Sequence, residues 1–157
     1  MKDTIRLVAS AAVLAALLAC DIFPSFGPED DGMKKLDQAR ALWMAAGPDR
    51  YRYAIRRNCF CPEGYVGPVV MEVSGGVATE RLYVASGDPV PQEIASAFPT
   101  VDGLFTILEE AISEGAFRVA VTYDPLLGYP RGVSIDYDEH AVDEELGFEV
   151  TQDVEGL

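Results

Sequence analysis

The sequence predicts an α+β fold: an antiparallel sheet of about five strands with two helices packed on one face, in the order α-β-β-β-α-β-β. Three observations predict it. Two segments carry apolar residues at the i, i+3, i+4 spacing of a helix face, and the segments between and after them alternate with period two. Short turns, not helical crossovers, join the alternating segments, so neighbouring strands run antiparallel.

The first helix is expected over Met33–Ala46, where Leu36, Ala39, Leu42, Trp43 and Ala46 fall on one side. Gly47-Pro48 ends it. Tyr51–Asn58 alternates as a strand, with Tyr51, Tyr53 and Ile55 on one face and Arg52, Ala54 and Arg56 on the other. After the break at Cys59-Phe60-Cys61-Pro62, Val66–Val73 and Val77–Ala85 read as a hairpin turning at Ser74-Gly75-Gly76. Ser86–Pro99 reads mostly as loop. Thr100–Gly115 is the clearest helix, with Thr100 or Asp102 as cap and Leu104, Phe105, Leu108, Ala111 and Ile112 as the buried stripe. Phe117–Tyr123 and Gly132–Tyr137 are strands, and Phe148–Gln152 is a candidate last one. Both halves run helix, aromatic strand, turn with Pro and Tyr, strand, which raises an old duplication as a possibility.

Residues 1–19 read as an export signal. Lys2 and Arg6 precede an apolar run, Leu7–Leu18, which is shorter than the roughly 20 residues needed to span a hydrocarbon core. Leu17-Leu18-Ala19-Cys20 resembles the end of a bacterial lipoprotein signal. The resemblance implies cleavage before Cys20, fatty acylation (palmitate among the acyl groups) of Cys20 and a lipid anchor in the cell envelope, with the inner or outer membrane left open. Residues 20–32, rich in proline, glycine and acid, read as a flexible tether and 33–157 as a single domain.

The charge is −14, and loss of Lys2, Arg6 and Asp3 with the signal leaves 10 basic and 25 acidic residues, or −15. Such a surface excludes nucleic acid as a partner, because no basic patch exists to release counterions. The expected partners are the membrane, through the lipid on Cys20, and an envelope protein.

Tyr51-Arg52-Tyr53 with Cys59-Phe60-Cys61-Pro62, preceded by Trp43, resembles the first signature of an uncharacterised family of exported bacterial proteins, many of them lipoproteins. Thr100-Val101-Asp102-Gly103-Leu104-Phe105 is similar to its middle signature. Val121-Thr122-Tyr123-Asp124-Pro125 with Gly128-Tyr129-Pro130, closed by Ile135-Asp136-Tyr137, is similar to the third. The resemblance covers roughly residues 36 to 152 and implies a small exported domain with no known activity.

With Cys20 lipidated, Cys59 and Cys61 remain as a pair. In a straight strand their α-carbons would stand about 6.5–7 Å apart, at the limit of disulfide reach, so a bond needs a bend. Three readings follow: a local staple, a redox-active pair beside Arg56 and Arg57, or a soft-metal site short of ligands, since His140 is the only histidine. The acids Asp136, Asp138, Glu139, Asp143, Glu144 and Glu145 form a solvated face, pair with Arg52, Arg56, Arg57 or Arg131, or gather calcium without EF-hand spacing. Asp124-Pro125 through Gly128-Tyr129-Pro130 reads as an ordered turn. Tyr65, Tyr123 and Tyr129, together with the Cys59–Cys61 turn, are candidates for an exposed binding surface; alternatively these rings cover the edge or core of the sheet.

No catalytic residue, metal site or cofactor is predicted. One histidine, no nucleophile elbow and no phosphate-cradling loop leave nothing to assemble a known catalytic set from. The expected function is a non-enzymatic, lipid-anchored binding or accessory module; a thiol-based redox or soft-metal protein using Cys59 and Cys61 is the alternative.

Overall fold

The computed structural model describes residues 28–141 and 144–157, with side chains from residue 31. The segments read as an export signal and a tether, with Cys20, lie outside the described residues up to residue 27. Helix α1 spans Pro28–Ala46, starting five residues before the expected Met33 and taking in the last part of the segment read as tether. Pro28 followed by acidic residues is what a helix N-terminus favours, through a preset φ and the positive end of the macrodipole. One turn in, Asp31 pairs with Lys35 at 2.5 Å, and that cation holds the Asp31 carboxyl below its ordinary pKa.

Six strands follow, not five: β1 Arg50–Asn58, β2 Val69–Ser74, β3 Val77–Tyr83, β4 Arg118–Tyr123, β5 Pro130–Asp136 and β6 Leu146–Gly156. Helix α2, Val101–Ser113, separates β3 from β4. The sheet is antiparallel throughout, in the order β3-β2-β1-β6-β5-β4. The strand expected over Phe148–Gln152 is thus the longest, and it lies at the centre against β1. Its alternation is weak in sequence because its register against β1 shifts twice, between Arg52 and Ala54 and between Ala54 and Ile55. Val66 to Pro68, expected as strand, precede β2; Glu63–Tyr65 form a short 3₁₀ turn there. A second such turn, Gln92–Ala97, lies in the segment expected as loop.

The strand order does not support a simple duplication. The first helix leads into a central strand, β1, and the second into an edge strand, β4.

Burial alternates along the strands. Val69, Met71 and Val73 of β2 join Tyr51, Tyr53 and Ile55 of β1 in one core cluster. Leu36, Ala39 and Trp43 of α1 belong to the same cluster, as do Val101, Leu104, Phe105, Leu108 and Ala111 of α2. Arg40 links the helices, donating to the Phe105 carbonyl at 3.0 Å and to Glu109 at 2.7 Å. Thr100 caps α2, its hydroxyl accepting from the Gly103 amide at 3.2 Å. Among the described residues no helix is long and apolar enough to cross a membrane.

Candidate functional site

The signature residues converge on an interior knot at the N-terminus of α2. Trp43 stands edge-on to Tyr51, ring centroids 5.2 Å apart, and to Tyr129 at 6.1 Å. Its indole N–H donates to Asp102 at 3.2 Å. The Tyr51 hydroxyl accepts from the Val101 amide at 3.2 Å, and the Tyr53 hydroxyl donates to the Pro99 carbonyl. Three separate motifs therefore hold one helix end against β1. Burial raises the pKa of Tyr51, and that of Tyr53 still further, so both phenols stay neutral.

Tyr129 belongs to this knot and not to an exposed patch: it is 1% exposed. Its hydroxyl donates to Asp153 at 3.1 Å, and Arg131 holds the same carboxylate at 2.6 Å. Burial, together with the Asp153 charge, pushes the phenol up to about 12 against the opposing Val154 backbone bond. The turn before it is ordered as its residues imply. Asp124 accepts from the amides of Leu126 and Leu127 at 2.9 and 2.8 Å, and Gly128 has φ +79°. A Cβ on Gly128 would meet the Ala39 carbonyl oxygen at 2.3 Å, so the hairpin rests directly on α1.

Tyr65 and Tyr123, both half-buried, sit far apart. Tyr65 lies under the Arg57 guanidinium, 5.9 Å from centroid to Cζ. Arg57 pairs across to Phe148, Phe148 to Val133 and Val133 to Val121. Three strand spacings, about 14 Å, thus separate the Tyr65 side of the sheet from β4 and Tyr123. Tyr123 is pushed up to about 12, mainly by burial, with the Arg40 charge working against it. The three tyrosines do not form one surface.

Cys59 and Cys61 come within bonding contact, their α-carbons 5.3 Å apart, shorter than a straight strand allows, so the chain bends at the end of β1. The bend leaves Phe60 84% exposed. Phe60 rims a cleft of about 490 Å³ at the end of the sheet, lined also by Asn58, Arg118, Ser134, Asp136, Glu145 and Gly147. A second cleft, of about 430 Å³, lies between the start of α1, the end of α2 and β4. Asp31, Lys35, Ile112 and Ala116 line it with Phe117, Val119, Val121 and Tyr123. Arg118 belongs to both clefts. Alternation explains why: β4 sends Val119, Val121 and Tyr123 to the helix side, while Arg118 starts the strand at the edge where the clefts meet. Phe117 beside it is 49% exposed. Phe60 falls within the Cys59–Cys61 turn expected to take part in binding, whereas Phe117 and Arg118 were not expected as site residues from the sequence.

Among the described residues the acidic stretch does not take the expected arginine partners. Arg56 pairs with Glu149 at 3.5 Å, and Arg131 with Asp124 and Asp153. His140 approaches only Asp138, at 3.6 Å. Among the described residues no three His, Cys, Asp or Glu side chains gather to hold a metal; Asp143 lies outside them. What the two clefts offer is contact chemistry: apolar rings, the cations Arg118 and Lys35, and the carboxylates Asp31, Asp136 and Glu145.

Fold and site together define a small α+β domain with a six-stranded antiparallel sheet and a recessed, aromatic-rimmed sheet end. Residues 35–155 match the Family of unknown function (DUF6174), and the chain belongs to that family. No curated protein and no solved structure matches it.

Proposed function

We propose that the protein is a lipid-anchored binding or accessory module of the bacterial cell envelope that works by contact and not by catalysis. Phe60 and Phe117 carry this reading: two large apolar rings held in solvent at the same end of the sheet, three strands apart, each lining a cleft that Arg118 also lines. Aromatic residues and arginine are the groups that dominate protein–protein contacts, and rings left in water are retained where something covers them. The anchor reading rests on the signal-like residues before Cys20, and export of such a lipoprotein places the domain beside other envelope proteins. In this view the two helices cover one face of the sheet, and the sheet end opposite the knot meets the partner.

The test is a photo-cross-linking residue at position 60 of the full-length protein in living bacteria that express it, compared with the same label at exposed Met44 on α1. A discrete adduct specific to position 60 and weakened by Phe117→Ala supports the reading. Equal, diffuse labelling at both positions removes it. Intact mass of detergent-extracted protein checks the anchor: acyl mass on a chain beginning at Cys20 is expected, and an unmodified chain would exclude it.

The thiol-based alternative is favoured by one observation, the close contact of Cys59 and Cys61 in a part-exposed loop. It predicts free, alkylatable thiols or bound metal in protein taken from the envelope without reduction. A fully bonded, metal-free pair leaves the staple role and the binding reading.

A further inference from the structure

The two edges of the sheet are finished differently. At the end of β3, over Arg81–Tyr83, the chain covers its own edge: Leu82 bridges to Pro89, the Tyr83 amide donates to the Asp88 carbonyl at 2.9 Å, and the Val90 amide donates to the Arg81 carbonyl at 2.9 Å. β4, the other edge, pairs only with β5, and among the described residues no backbone group outside the sheet bonds to Arg118–Tyr123. Every second residue of such a strand turns its N–H and C=O away from its one neighbour, a row that pairs with a further extended chain. Open edges are normally blunted by proline, inward-pointing charge or cover. Between its ends β4 reads Val119-Ala120-Val121-Thr122, without charge or proline.

Beside this edge lies the cleft lined by Ile112, Ala116, Val119 and Val121. On the opposite side of the sheet, Asp136 and Glu145 line the other cleft. A strand laid along β4 would direct alternate side chains to these two sides. Within the binding reading proposed above, on which this inference rests, we propose that β4 takes up an extended segment of a basic partner protein as a seventh strand. Its apolar residues would fill the Ile112–Val121 groove, and the basic residues between them would lie over Ala120 and Thr122 on the opposite face, drawn by the net negative charge of the chain. Charge argues for a basic partner over a second copy: each copy of this chain carries −14, so two copies repel and a cationic segment is attracted. Strand addition obtains its affinity from main-chain bonds and its specificity from alternate side chains, the two resources this edge displays.

The test uses the full-length protein in detergent and an end-blocked peptide alternating valine and lysine. The control has the same charge but proline at every second valine, which removes amide donors and breaks the added ladder. Hydrogen exchange is read amide by amide. At peptide concentrations ten times the measured Kd, alternate β4 amides are expected to slow about tenfold, with β3 unchanged and no effect of the proline peptide. Binding that protects any other element, or equal binding of the control, overturns strand addition. So does a β4 edge already protected before peptide is added. Protection that grows with protein concentration would make a second copy the occupant, and concentration-independent protection would make it the chain's own residues 20–27. If no peptide protects β4 while the position-60 cross-link persists, strand addition fails and the binding reading stands; if both fail, both fall.

Discussion

Two aromatic clusters divide the molecule, and they differ in what their edges touch. In the knot around Trp43, each polar tip has a partner: the indole meets Asp102, and the hydroxyls of Tyr51, Tyr53 and Tyr129 meet Val101, Pro99 and Asp153. At the sheet end, Phe60 and Phe117 have no polar tip and face solvent. A tyrosine or tryptophan whose handle is satisfied indoors builds architecture, because an unpaired handle there would cost the full desolvation of its polar group. A phenylalanine held in water adds nothing to the fold. The signature motifs thus mark how the domain is held together, whereas the contact surface proposed above draws on Phe117 and Arg118 outside those motifs and on Phe60 inside the first.

The comparison breaks first at Trp43. Trp43→Ala should destabilise the domain by about 3–5 kcal/mol, since it empties a buried ring site and strips Asp102 of its donor. Denaturant melts measure this. A loss under about 1 kcal/mol would mean that the knot does not organise the core.

Alkaline pH tests the same cluster without mutation. Tyr129 is pushed from the ordinary value near 10 up to about 12, so the folded state holds its proton where the unfolded chain has lost it. The resulting stability is intact below pH 10 and falls as pH rises from 10 to 12, by about 1.4 kcal/mol per pH unit. Tyr123 behaves in the same way. Tyr129→Phe should flatten the slope between pH 10 and 12 relative to the wild-type protein; identical slopes would show that the phenol is not held neutral by the fold.

What the sequence made legible follows from this division. Trp43, Tyr51, Tyr53, Asp102 and Tyr129 were singled out, because repeated motifs are visible as pattern, whereas their partners Pro99 and Asp153 were not; Leu104, Phe105 and Leu108 lie where the helical spacing put them. The role of Tyr129 was not settled in advance, since a tyrosine beside a turn looks alike whether its ring points to solvent or to Trp43. β6 was half seen because its two register shifts against β1 scramble the alternation. The beginning of α1 was missed because a proline, three acids and a glycine resemble a linker until a helix dipole is placed beneath them. Arg118 was invisible as a site residue: that two clefts meet there depends on three elements distant in sequence.

The Cys59–Cys61 contact lies between the two regions and should have an intermediate effect. Replacing both cysteines, Cys59→Ser with Cys61→Ser, removes closure of a three-residue loop and should cost about 1–2 kcal/mol. The same change frees Phe60, so partner cross-linking through position 60 should broaden even in molecules that remain folded. A larger loss of stability would assign the pair to the core, contrary to its part-exposed position at the strand end.

The smallest effect on stability is the sharpest test of the division. Phe60→Ala and Phe117→Ala should each shift stability by less than about 0.5 kcal/mol, because exposed side chains away from caps and cavities have little packing to lose. If these rings form the centre of a contact surface, each change should still weaken partner binding by about 1–3 kcal/mol, some tenfold to a hundredfold in Kd. Unchanged melting with weakened binding separates surface from architecture in a single variant. Should Phe117→Ala melt like Trp43→Ala, the ring is part of the core and the contact surface shrinks to Phe60 and Arg118. Unchanged melting with unchanged binding would instead move the contact away from the Arg118 end of the sheet, leaving the knot as the only one of the two clusters with an assigned task.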